Sequence, residues 1–187
     1  MRIVGGEFRG RRLAAVGKGD AGAHLRPTTD RVRESLFNLL LGGRFGDPVE
    51  DAHVLDLFAG TGGLGLEALS RGAAHVTLVD DGRVAQKLLA ENIALLGVAD
   101  RTRVLRSKAA RLPAATAPCD LVFLDPPYGK SLGPAALAAA QAQGWIAPDA
   151  LIVWEEKGPQ TAPDGFDLLE HKGYGDTTVT LLRACPA

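Results

Sequence analysis

Apolar residues recur along this chain in two different periods, and the two alternate. Runs in which nearly every position is apolar, at 53–58, 75–80, 102–105, 119–124 and 149–155, read as strands buried on both faces. Between them, apolar positions spaced three and four apart predict helices over 63–71, 82–96 and 133–142, with a shorter helical piece near 108–114. Strand and helix in alternation imply a parallel sheet with helices on both faces. Two last runs, Phe166 to Lys172 and Thr177 to Arg183, are joined through Gly173-Tyr174-Gly175-Asp176 and read as a hairpin. The final strand is therefore expected to lie antiparallel.

Ahead of the alternating region, Thr28 or Thr29 caps a helix through Leu41, with Val32, Leu36, Leu39 and Leu40 on one face and Arg31 and Arg33 pointing elsewhere. Gly42-Gly43 ends it. Ile3-Val4 and Phe8 to Ala15 read as a short hairpin arm with glycines at 5, 6 and 10, followed by a loop over 16–24. The chain thus divides into an arm, 1–25, and an α/β domain, 26–187. At 187 residues and 46% hydrophobic content it can bury one good core but not two large ones.

Three acidic residues fall at predicted strand ends. Asp56 opens Asp56-Leu57-Phe58-Ala59-Gly60-Thr61-Gly62, a strand, glycine-rich turn and helix start of the kind that lets backbone approach a ligand. Asp80, eighteen residues beyond Gly62, is placed to accept hydrogen bonds from both hydroxyls of a ribose. The turn lacks the Gly-x-Gly-x-x-Gly order and the Gly-Lys-Ser/Thr of a phosphate cradle, so a nucleoside carrying an amino-acid-like cation is the better guest. Asp125-Pro126-Pro127-Tyr128 follows the apolar run Leu121 to Leu124. An exocyclic amine on a base is a poor nucleophile because its lone pair is delocalised into the ring. The Asp125 carboxylate and the Pro126 carbonyl, stiffened by proline, can accept its two N–H bonds and draw that lone pair out, while Tyr128 offers a stacking face.

These motifs resemble those of Rossmann-like, S-adenosylmethionine-dependent methyltransferases that act on amino groups. The resemblance sharpens at the ends. Met1-Arg2-Ile3-Val4-Gly5-Gly6, Phe8-Arg9-Gly10-Arg11, the stretch Arg26-Pro27-Thr28-Thr29-Asp30-Arg31-Val32-Arg33-Glu34-Ser35-Leu36-Phe37-Asn38, and Tyr174-Gly175-Asp176-Thr177 resemble the RsmD family of bacterial 16S rRNA guanine-N2 methyltransferases. The resemblance implies a seven-stranded Rossmann-like sheet and S-adenosylmethionine as cofactor. It assigns catalysis to Asp125, Pro126, Pro127 and Tyr128, and cofactor contacts to Asp56, Phe58, Ala59, Gly60, Thr61, Gly62, Asp80 and Asp81. After the third strand, where relatives carry an Asp or Asn for the adenine amine, this chain has Lys108, which cannot accept that bond. Ser107, or main chain at Lys108 and Ala109, is expected instead.

Charge is uneven. Residues 1–33 hold eight Lys and Arg against three acidic residues, a surplus of five in a chain whose net charge is −1, so the remainder carries −6. A basic start on an acidic body points to a phosphate backbone as partner, with Arg2, Arg9, Arg11, Arg12, Arg26, Arg31 and Arg33 as candidate RNA contacts. The implied partner is 16S rRNA or a small-subunit assembly intermediate, met by a monomer. No apolar run is long enough to span a membrane, no leader pattern precedes Arg2, Glu7 and Arg9, and a cytoplasmic location is expected. Cys119 and Cys185 form no metal pattern, so neither zinc nor a disulfide is expected. His24, His53, His75 and His171 read as surface or capping groups, Glu155 and Glu156 as structural, and Trp145 and Trp154 as core. Rival readings are an amino-group methyltransferase acting on adenine N6 or on a protein glutamine, a non-catalytic RNA-binding protein on the same fold, and a nucleotide-dependent oxidoreductase.

Overall fold

A computed structural model of the chain describes residues 1–15 and 29–186. The predicted loop over 16–24, with His24, Arg26 and Thr28, lies outside them. In order, the elements are α1 (Asp30–Leu40), β1 (His53–Leu57), α2 (Gly63–Ser70), β2 (His75–Asp80), α3 (Arg83–Leu96), β3 (Thr102–Arg106), β4 (Cys119–Leu124), α4 (Leu132–Ala142), β5 (Ile146–Glu156), β6 (Phe166–Tyr174) and β7 (Thr177–Ala184). One-turn 3-10 helices lie at 99–101 and 109–111. All seven strands form one sheet in the order β3-β2-β1-β4-β5-β7-β6. β1 to β5 run parallel, and β7 pairs antiparallel with both β5 and β6.

Strand alternation sorts the core into two layers. Val54, Val76, Leu78, Leu121, Phe123 and Val153 face α1, α2 and α3. Leu55, Leu57, Val79, Val122, Ile152 and Trp154 face α4. Trp145 and Trp154 are both core residues, and the buried Cys119 thiol is pushed up to about 12 by desolvation and the neighbouring Asp120. β5 begins earlier than its apolar run. Its register jumps from Ile146 to Leu151 while β4 advances only from Cys119 to Leu121, and Pro148 and the left-handed Asp149 sit within that irregularity.

Thr29 caps α1, its hydroxyl accepting from the Val32 N–H at 3.3 Å. Residues 1–15 fold back on themselves, but a single antiparallel bridge, Arg2 to Arg12, stands where paired strands were expected. Ile3, Gly10 and Leu13 N–H groups bond across the fold-back, to the Arg11, Ile3 and Met1 carbonyls, and the pairing goes no further because α2 takes the donors between them. Val4 and Gly5 N–H groups donate to the Glu67 carboxylate at 2.9 and 2.8 Å, and those of Glu7 and Phe8 donate to the Ser70 carbonyl and hydroxyl at 2.6 and 2.9 Å. Gly6 makes the approach possible, since a Cβ there would lie 1.7 Å from the Ser70 carbonyl oxygen. Ile3, Phe8 and Leu13 are buried in the α1–α3 layer, so this segment is part of the core.

Candidate active site

The sheet's order reverses between β1 and β4: β2 and β3 continue outward from one, β5 from the other. Ligands of open α/β sheets bind at the carboxyl ends of strands beside such a switch point. Asp56, Asp80 and Asp125 lie at or next to those ends on β1, β2 and β4. Between β1 and α2 the backbone turns through positive φ at Phe58 (63°), Gly60 (56°) and Gly62 (82°). That path turns successive peptide groups toward the sheet end. The Ala59 N–H donates to the Val79 carbonyl and that of Gly60 to Asp80 Oδ2, each at 2.9 Å. Asp80 Oδ1 also accepts from the Gly82 N–H at 2.8 Å. Each Asp80 oxygen so engaged keeps further lone-pair capacity, which two ribose hydroxyls would use. Asp81 beside it is exposed, and Thr61 is buried, its carbonyl accepting from the Asn92 amide at 2.9 Å.

Asp56 is 2% exposed and its Oδ2 accepts from the Gly65 N–H at 2.9 Å. Burial, with the charge of Asp80 adding to it, pushes its carboxyl up to about 7 despite that hydrogen bond. Asp80 is also raised, mainly by burial. Asp125 is held well above the ordinary carboxylate range by burial and by the like charges of Glu155, Asp56 and Glu156. One end of the sheet therefore gathers carboxyls that burial holds toward their protonated form, and a cationic guest would favour their ionisation.

Asp125 follows β4 directly, and its N–H reaches the β1 carbonyl of Leu57 at 3.5 Å. Pro126 is buried, and Tyr128 is half-buried with its hydroxyl donating to Glu155 Oε1 at 3.2 Å. Burial and the charges of Glu155 and Asp125 raise the Tyr128 phenol, so it stays a protonated donor. Glu155, expected to be structural, sits next to the candidate site. It is buried at the end of β5, in the position beside Asp125, because Leu124 pairs with Trp154 in the sheet register. Alternation argued against Glu155 and Glu156 acting as a pair. The parallel pairing of β5 with the Asp125 strand is what brings Glu155 alone beside Asp125.

Near β3, the Ser107 hydroxyl donates to the Arg111 carbonyl at 2.8 Å, Ala109 is buried and Lys108 is exposed. Of the arginines assigned to RNA, Arg2, Arg9, Arg11, Arg12 and Arg31 are exposed. Arg33 is not: it is 1% exposed, paired with Glu67 at 3.3 Å and Asp30 at 3.0 Å, and donates to the Arg2 carbonyl. Its charge serves to neutralise a buried carboxylate, which removes it from the surface set.

Over residues 1–183 the chain matches the model of a family described as Conserved hypothetical protein 95. It is 40% identical to Ribosomal RNA small subunit methyltransferase D of Escherichia coli, covering 98% of this chain and 89% of the relative. It is 36% identical to the putative rRNA methyltransferase YlbH of Bacillus subtilis, with 98% of both covered. Among solved structures, the putative methyltransferase yhhF from Escherichia coli superposes with a TM-score of 0.82 at 38% identity, covering 100% of this chain and 99% of the other. The putative methylase HI0767 from Haemophilus influenzae gives 0.75 at 31% identity, covering 98% of each.

Proposed function

The chain belongs to the RsmD family, and from that premise we propose that it transfers a methyl group from S-adenosylmethionine to the exocyclic N2 amine of a guanine in small-subunit rRNA. The observation that carries the reading is the position of Asp125-Pro126-Pro127-Tyr128 at the end of β4, one strand from the glycine turn of β1.

The residues present fit the cofactor. Asp80 has acceptor capacity beyond its two backbone donors, the turn at 58–62 presents backbone close to it, and the buried carboxylates suit a sulfonium and an ammonium. Asp56, Phe58, Ala59, Gly60, Thr61, Gly62, Asp80 and Asp81 would hold it, with Ser107, Lys108 and Ala109 beside the adenine. When bound, S-adenosylmethionine supplies a methyl group already activated by positive sulfur.

The protein's part is positioning. Tyr128, anchored at its hydroxyl by Glu155, gives the extruded base a face to stack on, a contact worth roughly 1–3 kcal/mol. Asp125 and the Pro126 carbonyl accept the two N2 hydrogens, which turns the nitrogen lone pair toward the methyl. As the new N–C bond forms, the nitrogen becomes acidic, and Asp125, with its raised affinity for a proton, is placed to receive one before passing it to water. The exposed arginines of residues 1–15 would hold the RNA backbone.

Methyl transfer from labelled S-adenosylmethionine to small subunits and naked rRNA from cells lacking this protein, followed by nucleoside analysis, tests the reading. N2-methylguanosine at a single site is the expected product. N6-methyladenosine would overturn the choice of base, and absence of label from RNA would overturn the substrate.

A further inference from the structure

The edge of the sheet formed by β3 and the turn after it carries charge for which the site described above has no use. Residues 100–111 hold Arg101, Arg103, Arg106, Lys108 and Arg111 against Asp100 alone, a surplus of four. Added to the surplus of five in residues 1–33, this leaves −10 on the rest of a chain whose net charge is −1. Arg106, Lys108 and Arg111 are exposed, and among the described residues β3 is an edge strand with only β2 beside it.

Two contacts join this edge to the first fifteen residues. The Arg101 guanidinium pairs with Glu7 at 3.1 Å and lies 5.7 Å over the Phe8 ring, the residue before exposed Arg9. The basic start of the chain and the β3 edge are thus one continuous surface. Its other end lies at the mouth of the site, because Arg106 pairs in register with Asp80 at the carboxyl ends of the strands. β3 stands three strands from β4, roughly 14 Å at the usual inter-strand spacing. That is about four phosphates along one strand of a helix.

The pocket holds carboxyls and, among the described residues, no cation of its own, so it offers nothing to the phosphates flanking a base drawn into it. Cations at the rim, within a few nucleotides of Asp125, are the electrostatic remedy, and the β3 edge supplies them. We propose that Arg106 and Arg111 form a second binding strip for the ribose-phosphate backbone of the same RNA, joined through Arg101 to Arg9, Arg11 and Arg12, while Arg103 is taken up by the Thr116 hydroxyl and the Trp145 ring. This rests on the RNA reading above. It adds a surface from outside the basic N-terminal region and a direction in which the substrate leaves the pocket.

The test compares the full-length protein with the double variant Arg106→Ala/Arg111→Ala and with a control, Lys172→Ala/Arg183→Ala, on the two strands at the other end of the sheet. Small-subunit rRNA affinity is measured across a salt series, together with KM, kcat and S-adenosylmethionine affinity. The strip predicts a slope of log affinity against log salt shallower by about 1.4 to 1.8 for the two lost phosphate contacts, a raised KM for RNA, and unchanged kcat and cofactor affinity. The control keeps the wild-type slope. A wild-type slope in the Arg106/Arg111 variant overturns the strip, and self-association of that variant would then assign the charges to guarding a sheet edge. Equal losses for rRNA and an acidic protein ligand would also overturn it, as a non-specific charge effect. If the wild-type protein methylates no RNA, the reading on which the strip rests falls instead.

Discussion

On the proposed mechanism, Asp125 and Glu155 divide the work at the reacting end. Asp125→Ala is expected to lower the rate of transfer by about two to four orders of magnitude, the usual range for a lost general acid or base, while S-adenosylmethionine affinity by calorimetry stays near wild type. Equal loss of both would argue against Asp125 acting on the acceptor amine. Glu155 acts on its neighbours. In Glu155→Gln the amide oxygen still accepts the Tyr128 hydroxyl, but the charge beside Asp125 is gone, so the Asp125 carboxyl moves down toward its ordinary range. Activity needs that carboxylate ionised, and the acid limb of the pH-rate profile should move to lower pH. Glu155→Ala additionally frees the tyrosine and should raise KM for RNA. A profile unmoved in Glu155→Gln would reduce Glu155 to a packing role.

At the scale of elements, one buried carboxylate joins three segments. Glu67 on α2 is fully buried and accepts from the Val4 and Gly5 backbone, from Arg33 of α1 and from Arg71 at 2.8 Å. Glu67→Ala removes one of the two carboxylates paired with buried Arg33 and leaves the Val4 and Gly5 N–H groups without their acceptor, so denaturant unfolding should report a loss of about 3–5 kcal/mol. A loss below about 1 kcal/mol would mean the first residues are held by apolar contacts alone. Gly133→Ala is a second test, since a Cβ there would lie 2.2 Å from the Trp154 ring and force α4 off the sheet. These joints also mark where sequence reading ends. The boundaries of β2 and β4 followed from apolar runs because a strand buried on both faces reads as nearly continuous apolar sequence, interrupted inside these two only by Thr77 and Asp120. The direction of β7 followed from the hairpin. Arg33 read as a surface cation because helical periodicity reports which face is apolar, not which charge a neighbouring helix supplies. Glu155 was passed over because alternation within one strand says nothing about the strand beside it.

Across the whole molecule, carboxylates gather at one end of the sheet and cations run along one edge. The acids make stability depend on pH with a definite sign. The Asp56 carboxyl lies at about 7 in the folded protein against 3.8 as the ordinary value, so the folded state binds the proton more tightly between those limits. Stability from this group is full below pH 4 and is lost as pH rises to about 7, by an amount on the order of a few kcal/mol, with Asp80 and Asp125 adding in the same direction. Asp56→Asn should flatten that part of the stability curve. A cationic ligand favours the ionised carboxylates, so S-adenosylmethionine should bind more tightly as pH rises through the same window and release protons as it binds. Calorimetry near pH 6 in buffers of different ionisation enthalpy reads that release directly, and a heat independent of buffer would refute it.

The order β5-β7-β6 has a temporal meaning as well as a spatial one. β5 contributes Leu151, Ile152, Val153 and Trp154 to the core, and one of its edges is covered only by residues 177–184. A ribosome that has made everything through β6 has therefore released a nearly complete sheet with a long apolar strand still open along one side. Until β7 arrives to slot between its neighbours, the nascent chain presents a template to any other extended peptide. The strand that completes this sheet is thus an internal one, and a chain halted before Thr177 should accumulate in aggregates rather than as a slightly shorter enzyme.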